Sequence, residues 1–111
     1  MIYGNRIKES VDIREFLKKV RNYDRGEVVC TLHTFFRLSR KQRELFTCDT
    51  IREYLFDKTP VLVGLQHNGC YAVFYKHEKQ RFIRIIVDIK ADNIYVVTFY
   101  VIEKVQLPVI K

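Results

Sequence analysis

The sequence predicts an α+β domain in which N-terminal helices pack on one face of an antiparallel sheet of four to five strands. Three observations lead to this class. Apolar residues follow helical spacing in the N-terminal half and alternate in the C-terminal half. The connections after residue 61 are short, which forces successive strands to pair antiparallel. The predicted order of elements is α-β-α-α-β-β-β-β.

The N-terminal half contains three predicted helices and one strand. Ser10 is a suitable N-cap for a first helix over residues 10–22, whose apolar residues recur three and four positions apart. A short β-branched segment at residues 27–32 predicts the first strand. Helical spacing then covers residues 33–45, and a third short helix is expected over residues 49–56. The inward-facing residues of this third helix are expected to be Ile51, Tyr54 and Leu55.

The C-terminal half is predicted to be a meander of four strands. The first two strands, residues 61–67 and 70–77, are separated by Asn68-Gly69, a dipeptide that favours a two-residue type I′ hairpin turn. Two further strands are expected over residues 81–90 and 94–103. The apolar C-terminal tail, residues 104–111, follows the last strand.

Alternation within the last two strands assigns their side chains to the two faces of the sheet. The side chains expected beneath the helices are Ile83, Ile85, Val87 and Ile89. In the last strand, one face is expected to carry Tyr95, Val97, Phe99 and Val101. The other face is expected to carry Ile94, Val96, Thr98, Tyr100 and Ile102. This assignment places Thr98 and Tyr100 on the open face of the sheet, beside Arg84.

Length and composition exclude several classes of protein. A chain of 111 residues and 13.4 kDa predicts a single domain over residues 1–111. With 48% hydrophobic and 30% charged residues, it is neither disordered nor fibrous. No apolar run approaches the ~20 residues that span a bilayer, and the first residues lack the order of a secretory signal. We therefore expect no membrane partner.

The charge balance indicates a polyanionic partner. Twenty Lys and Arg against thirteen Asp and Glu give a net charge of +7. The pI is near 9.5. Nucleic acid is the first candidate for such a basic protein. The alternative is a basic protein whose charges only keep it dispersed.

The three cysteines predict neither a metal site nor a dithiol redox site. Cys30, Cys48 and Cys70 are odd in number and include no C-x-x-C pair. Cys30 and Cys70 fall within predicted strands, where a free cysteine behaves as a small hydrophobe. This pattern favours a reducing compartment, and hence the cytoplasm. A zinc site from His67 and Cys70 would lack two ligands, so we expect no metal and no other cofactor.

A histidine and several cations begin the second predicted helix. His33 and Arg37 are four residues apart, which places both on one side of a helix. A histidine can act as acid or base near neutral pH, and an arginine one turn later can hold a phosphate. Arg40, Lys41 and Arg43 extend this basic run and are the predicted contacts to nucleic acid. The alternative is a solvated helix face, because H-x-x-x-R alone is a weak pattern.

The order of these elements, a strand that leads into His33-Thr34-Phe35-Phe36-Arg37 and then a meander, resembles the BECR ribonuclease-like superfamily of barnase, EndoU, colicin and RelE-type toxins. It is most similar to a RelE-like group of small domains, which have His-x-x-x-Arg after the first strand and Thr-x-(Tyr/Phe) in the last. The resemblance extends over about residues 28–100, within a RelE-like core of residues 27–103.

This resemblance implies a metal-independent endoribonuclease of toxin type that uses no cofactor and is held by an antitoxin. By this resemblance His33 would be the general acid or base and Arg37 would hold phosphate. Thr98 and Tyr100 would orient the scissile group. The geometry of the open face adds Arg84 to the predicted catalytic residues.

Two alternatives remain open at the level of sequence. The protein is either an endoribonuclease or a non-catalytic basic module that binds nucleic acid or protein on the same fold. A small viral or accessory protein that has lost catalysis is a variant of the second. The last strand is apolar on both faces and the tail is apolar as well, so the tail is expected either to return over the sheet or to reach a neighbouring subunit. We therefore also predict a homodimer.

Overall fold

In the computed structural model, residues 7–36 and 38–108 are described, and they form one six-stranded mixed sheet with three α-helices. The strands are β1 Ile7–Ser10, β2 Val28–Cys30, β3 Leu62–Gln66, β4 Tyr71–Glu78, β5 Arg81–Ile89 and β6 Ile94–Glu103. The helices are α1 Ile13–Val20, α2 Arg40–Leu45 and α3 Cys48–Asp57. The α+β class is confirmed, but the sheet has more strands than predicted.

The sheet has the strand order β1-β3-β4-β5-β6-β2. Strands β3 to β6 form the predicted antiparallel meander. The predicted two-residue type I′ turn at Asn68-Gly69 is wrong, because it needs a positive φ at both residues and, among the described residues, only Gly69 has one (+88°). The Gln66 N–H donates to the carbonyl oxygen of Cys70 (2.8 Å), so the loop between β3 and β4 has three residues, 67–69. The prediction of a wholly antiparallel sheet is wrong, because β2 pairs parallel with β6 at one edge.

The N-terminal helix begins later than predicted, because Ser10 belongs to a strand. Ser10 pairs with Gly64 of β3, which makes β1 the other edge of the sheet. The N-cap of α1 is Asp12, whose side chain accepts hydrogen bonds from the backbone N–H groups of Arg14 (2.8 Å) and Glu15 (3.3 Å). Aspartate caps a helix as well as serine does, and pairing with β3 satisfies the backbone of Ser10 instead.

The second predicted helix is divided in two. A 3-10 helix covers Leu32–Phe35, and α2 begins only at Arg40. The break occurs because Ser39 forms a capping box with Gln42, in which each side chain accepts a hydrogen bond from the other residue's backbone N–H. The predicted residue Arg37 lies outside the described residues. The third helix agrees with its prediction, since its expected inward residues are buried.

Buried side chains form one cluster on each face of the sheet. The helix-side cluster consists of Phe16, Val20, Val28, Leu38, Phe46, Ile51, Tyr54, Leu55, Val63, Val73, Tyr75, Ile83, Ile85, Val87, Ile94, Val96 and Phe99. The second-face cluster consists of Cys70, Ala72, Phe74, Phe82, Ile86 and Ile102. The predicted placement of the odd-numbered residues of β5 beneath the helices is confirmed.

A bulge in β6 interrupts the alternation that the sequence predicts for this strand. Ile86 pairs with Thr98, whereas the next residue, Val87, pairs with Val96. Val97 is therefore an extra residue without a partner position on β5, and its side chain is exposed. Such a bulge shifts the residues on its two sides by one position relative to the faces of the sheet.

The bulge makes the predicted grouping of β6 residues wrong. Ile94 and Val96, before the bulge, lie in the helix-side cluster together with Phe99, after it. The prediction had placed the first two on the face opposite Phe99. Beyond the bulge the alternation holds, so Thr98 and Tyr100 lie on the second face as predicted.

Two of the three cysteines are bonded to each other, which the sequence did not predict. Cys30 and Cys48 form a disulfide across 18 residues, with their Cα atoms 6.0 Å apart. The interpretation of Cys30 as a free hydrophobe is therefore wrong. Cys70 is free and buried, and burial raises the pKa of its thiol.

The tail returns over the sheet along the part of its length that the structure describes. A 3-10 helix covers Lys104–Gln106, and Leu107 packs against the second-face cluster together with Ile7. One of the two predicted destinations of the tail, the sheet of its own chain, is thus observed. Among the described residues, no helix has both the length and the apolar character needed to cross a bilayer.

Candidate functional site

The segment between β2 and α3 carries the predicted histidine and the predicted basic residues. Its first turn is held to the sheet by Thr34, which is fully buried. The Thr34 Oγ1 hydroxyl accepts a hydrogen bond from the backbone N–H of Thr31 (2.9 Å) and donates one to the carbonyl oxygen of Val96 (3.0 Å). Because these bonds anchor the 3-10 helix on β6, its exposed side, which includes His33, has a defined position.

An aromatic residue lies beside the predicted catalytic histidine. The Phe36 ring stands nearly perpendicular to the His33 imidazole, with the ring centroids 6.2 Å apart and an interplanar angle of 77°. Both side chains are exposed, Phe36 to 55%. Large apolar rings are more often buried than exposed, so this pair is a candidate platform for a flat ligand.

The short helix α2 presents cations next to this aromatic pair. Arg40 and Lys41 occupy its first turn and are exposed. Within residues 7–36 and 38–108, no ion pair to a carboxylate involves either of them. We refer to His33, Phe36, Arg40 and Lys41 together as the α2 basic surface.

The third predicted nucleic-acid contact, Arg43, has a structural role. Its Nε donates to the carbonyl oxygen of Phe35 and its Nη2 to that of Phe36, both at 3.0 Å. Both carbonyls lie at the end of the 3-10 helix, and that of Phe35 also accepts a hydrogen bond from the backbone N–H of Leu38 (3.0 Å). Arg43 therefore joins α2 to the 3-10 helix and keeps the parts of the α2 basic surface together.

The remaining predicted site residues form a second group on the other face. Arg84 pairs with Tyr100 across β5 and β6, and Thr98 lies two residues away on the same face. The Arg84 Cζ atom lies 5.4 Å from the ring centroid of Phe74 and 5.7 Å from that of Tyr100. The Thr98 hydroxyl oxygen is buried and has no hydrogen-bond partner among the described residues. The open face thus holds its cation between aromatic rings.

The two groups are carried by different elements of the fold. The 3-10 helix that carries His33 packs through Phe35 against Phe99 of the helix-side cluster, with ring centroids 5.9 Å apart. Arg84 and Tyr100 pair with each other across β5 and β6, and Tyr100 packs against both clusters. The predicted catalytic residues thus lie on different elements, His33 on the 3-10 helix and Arg84, Thr98 and Tyr100 on β5 and β6, while Arg37 lies outside the described residues.

Sequence reasoning missed a cavity at the disulfide. An open cavity of about 650 Å³ lies between the 3-10 helix and the start of α3, and its lining includes Cys30, Phe35, Arg43, Phe46, Thr47 and Cys48. The available signal was that two cysteines flank the predicted basic segment, one on each side. In the part of the chain that the structure describes, no group of three or more histidine, cysteine or acidic side chains is placed to hold a metal ion.

Comparison with known proteins leaves the family of this chain open. No protein-family model, no curated protein and no solved structure matches the sequence or the fold. The resemblance to RelE-like ribonucleases, together with the roles it implies for individual residues, therefore stays a prediction.

Proposed function

We propose that this protein binds RNA on the α2 basic surface and cleaves the bound RNA without a metal ion. The supporting observation is the absence of a carboxylate paired with Arg40 or Lys41, among the described residues, beside two exposed rings. Some cations elsewhere are paired, as in Arg81 with Glu103, whereas others, such as Lys19, have no ion pair among the described residues. Adjacent unneutralised cations gain the most from a polyanion, because they release its counterions.

The exposed rings favour RNA with unpaired bases over duplex DNA. Proteins that recognise single-stranded RNA stack unpaired bases on aromatic side chains and on histidine. Phe36 and His33 offer two such rings next to the cations of α2. A backbone bound to Arg40 and Lys41 would direct its bases toward these rings.

Cleavage would proceed by attack of the ribose 2′-OH on the neighbouring phosphorus. His33 accepts the 2′-OH proton as the O2′–P bond forms, and the P–O5′ bond breaks. The same proton is then available to the leaving 5′ oxygen, which yields a 2′,3′-cyclic phosphate and a 5′-OH. Arg40 and Lys41 stabilise the extra negative charge of the phosphorane. This sequence of steps needs no metal ion.

The test is incubation of the purified protein with structured RNA in EDTA. We expect the wild type to cleave the RNA and His33→Ala to be slower by about 10²- to 10⁴-fold, the usual contribution of a general base. His67→Ala is the matched control, because His67 is also exposed but lies in the β3–β4 turn. Equal activity of wild type and His33→Ala would contradict the proposal.

The second candidate is a non-catalytic binding module. The specific observation in its favour is that Arg84, one of the predicted catalytic residues, already contacts the rings of Phe74 and Tyr100. This candidate predicts RNA binding that weakens steeply with salt, but no cleavage by the wild type. Binding with a flat salt response would instead indicate a protein partner.

Further predicted partners depend on the same surface. We propose that an antitoxin, if one exists, covers the α2 basic surface with acidic residues, which would block RNA by charge complementarity. The predicted homodimer is a separate proposal, and light scattering at high concentration tests it. The cytoplasmic location also stays a proposal. The Cys30–Cys48 disulfide removes the argument from free cysteines, since stable disulfides are rare in that compartment.

A further inference from the structure

The disulfide closes the segment that contains the whole α2 basic surface. Cys30 ends β2 and Cys48 begins α3, so residues 31–47 form a covalently closed loop between them. The 3-10 helix and α2 both lie within this loop. A change at the disulfide therefore acts directly on the segment that positions His33 and the cations of α2.

Both sulfur-bearing residues are open to a small reagent. Cys30 and Cys48 are only partly buried, and both line the cavity of about 650 Å³. The guanidinium-bearing residue Arg43 lines the same cavity, and a positive charge favours the approach of a thiolate. Cys70, by contrast, is 8% exposed and lies in the second-face cluster. Cys70 is therefore an internal control for the accessibility of the other two cysteines to a reagent.

The position of Cys48 favours it as the leaving sulfur. It is the first residue of the ten-residue helix α3, directly after the N-cap Thr47. The unpaired backbone N–H groups and the dipole at a helix N-terminus stabilise negative charge. A thiolate released at Cys48 is therefore stabilised where it forms, whereas Cys30 lies at the end of a strand.

We propose that Cys30–Cys48 is a thiol–disulfide exchange site, which a small dithiol reaches through the cavity and whose reduction loosens residues 31–47. The thiolate of the dithiol attacks the Cys30 sulfur, forms a mixed disulfide and displaces Cys48 as a thiolate. The second thiol of the reagent then closes its own disulfide and releases Cys30. The two cysteines gain two electrons and two protons, and the dithiol loses them.

Noncovalent contacts keep the loop docked after reduction but leave it less constrained. Phe35 and Phe46 pack against Phe99, with ring centroids 5.9 Å and 5.1 Å apart, and Thr34 keeps its bond to Val96. We therefore expect local opening of residues 31–47 rather than global unfolding, because a disulfide restricts mainly the open states of the loop that it closes. An effect on RNA affinity follows only if the proposed function holds.

The experiment compares amide hydrogen exchange in the oxidised protein and in protein reduced with dithiothreitol. Alkylation followed by mass spectrometry counts the thiols, with one free cysteine expected before reduction and three after it. We expect amide exchange within residues 31–47 to become at least about tenfold faster on reduction, with β4 and β5 unchanged. Cys30→Ser/Cys48→Ser should behave like the reduced protein, and the matched control Cys70→Ser should respond to dithiothreitol like the wild type.

Unchanged exchange in residues 31–47, or three free cysteines before reduction, would overturn this proposal. Global unfolding on reduction would overturn it as well, because the disulfide would then be required for the stability of the whole fold. RNA affinity, measured on the same samples, separates this proposal from the proposed function. Faster local exchange without RNA binding in either form supports the exchange site and contradicts the RNA function alone.

Discussion

The two faces of the sheet differ in what covers them. The helix-side face is covered by α1, α3 and the loop from residue 31 to 47, and its cluster contains seventeen buried residues. The second-face cluster has six among the described residues, and Ile7 and Leu107 from the two ends of the described chain pack against them. On the helix side, the cations of α2 are exposed. On the second face, the cation Arg84 lies against the aromatic rings of Phe74 and Tyr100.

The cations on the two faces differ in their surroundings. Arg40 and Lys41 lie on an exposed helix, where a ligand phosphate can replace water at little cost. Arg84 already contacts Phe74 and Tyr100, which hold its guanidinium in one place. A basic residue on a sheet face is thus not a binding residue by position alone. The RNA-binding residues of the proposed function are therefore those of α2, and we expect Arg84 to stabilise the fold.

The largest effects are expected from removing one ring on each face. Phe99→Ala and Phe74→Ala each delete a fully buried ring, so each should lower the free energy of unfolding by about 3–5 kcal/mol. Phe99 also contacts Phe35 and Phe46, so only its loss should loosen residues 31–47. Denaturant unfolding measures the first effect, and hydrogen exchange below the transition measures the second.

Phe36→Ala is the matched control for these variants, because its ring is 55% exposed and its removal should change stability by less than about 0.5 kcal/mol. Faster exchange of residues 31–47 in Phe74→Ala than in Phe99→Ala would contradict the assignment of the loop to the helix-side face.

Charge reversal on α2 should have the next largest effect, on RNA affinity. Arg40→Glu/Lys41→Glu removes two cations that we place on phosphates, which should weaken binding by about tenfold or more at low salt. The slope of log K against log salt should fall by about 1.4 for single-stranded RNA. Fluorescence anisotropy across a salt series measures both quantities.

Lys18→Glu/Lys19→Glu on α1 is the matched control, since both residues are exposed cations on another helix. Equal losses for the two double variants would mean that net charge, and not the α2 basic surface, determines RNA affinity.

Changes at Arg84 should affect stability and leave RNA binding intact. Arg84→Ala removes a cation held between two rings, and we expect a loss of about 1–2 kcal/mol in the free energy of unfolding. Arg84→Lys should recover part of this loss, because an ammonium also interacts with ring faces but does not stack on them. A large fall in RNA cleavage with unchanged stability would return Arg84 to the candidate catalytic residues.

The smallest effect is expected from Tyr75, deep in the helix-side cluster. Burial raises the pKa of its hydroxyl, and the oxygen has no hydrogen-bond partner among the described residues. Tyr75→Phe removes a polar atom without a partner, so stability at neutral pH should change by less than about 1 kcal/mol.

The pH dependence of Tyr75 has a definite sign. The pKa of the Tyr75 hydroxyl is higher in the folded state than in the unfolded state, in which this pKa is about 10. The neutral hydroxyl is therefore favoured by folding, and stability should fall as the pH rises above about 10. Tyr75→Phe should reduce this alkaline loss, as thermal unfolding between pH 8 and 11 would show. An identical alkaline profile for both proteins would refute the assignment.

Much of the candidate site could be predicted from local pattern. His33 follows directly after a strand, and alternation placed Arg84, Thr98 and Tyr100 on one face. What local pattern could not show is where the 3-10 helix that carries His33 lies relative to these strands, because that depends on which face of the sheet the helix packs against. The contact between Phe35 and Phe99 decides this, and it joins residues 64 positions apart.

The sequence by itself determined the features that depend on neighbouring residues. Asn68-Gly69 correctly marked the position of the β3–β4 turn, although not its type, and the helix-side residues of β5 need only the two-residue period of a strand. The α+β class follows from the succession of the two periods along the chain.

Only the tertiary structure decided the edges of the sheet, the bulge at Val97 and the Cys30–Cys48 disulfide. The edges and the disulfide join segments that are distant in sequence: β1 with β3, β2 with β6, and the end of β2 with the start of α3. The bulge at Val97 arises from the register of β6 against β5. Their formation depends on the register between whole elements, and register is set by the packing of the entire core rather than by any one segment. The sequence contains the residues that form these features. Which strand or cysteine each of them pairs with is determined only when the elements pack together.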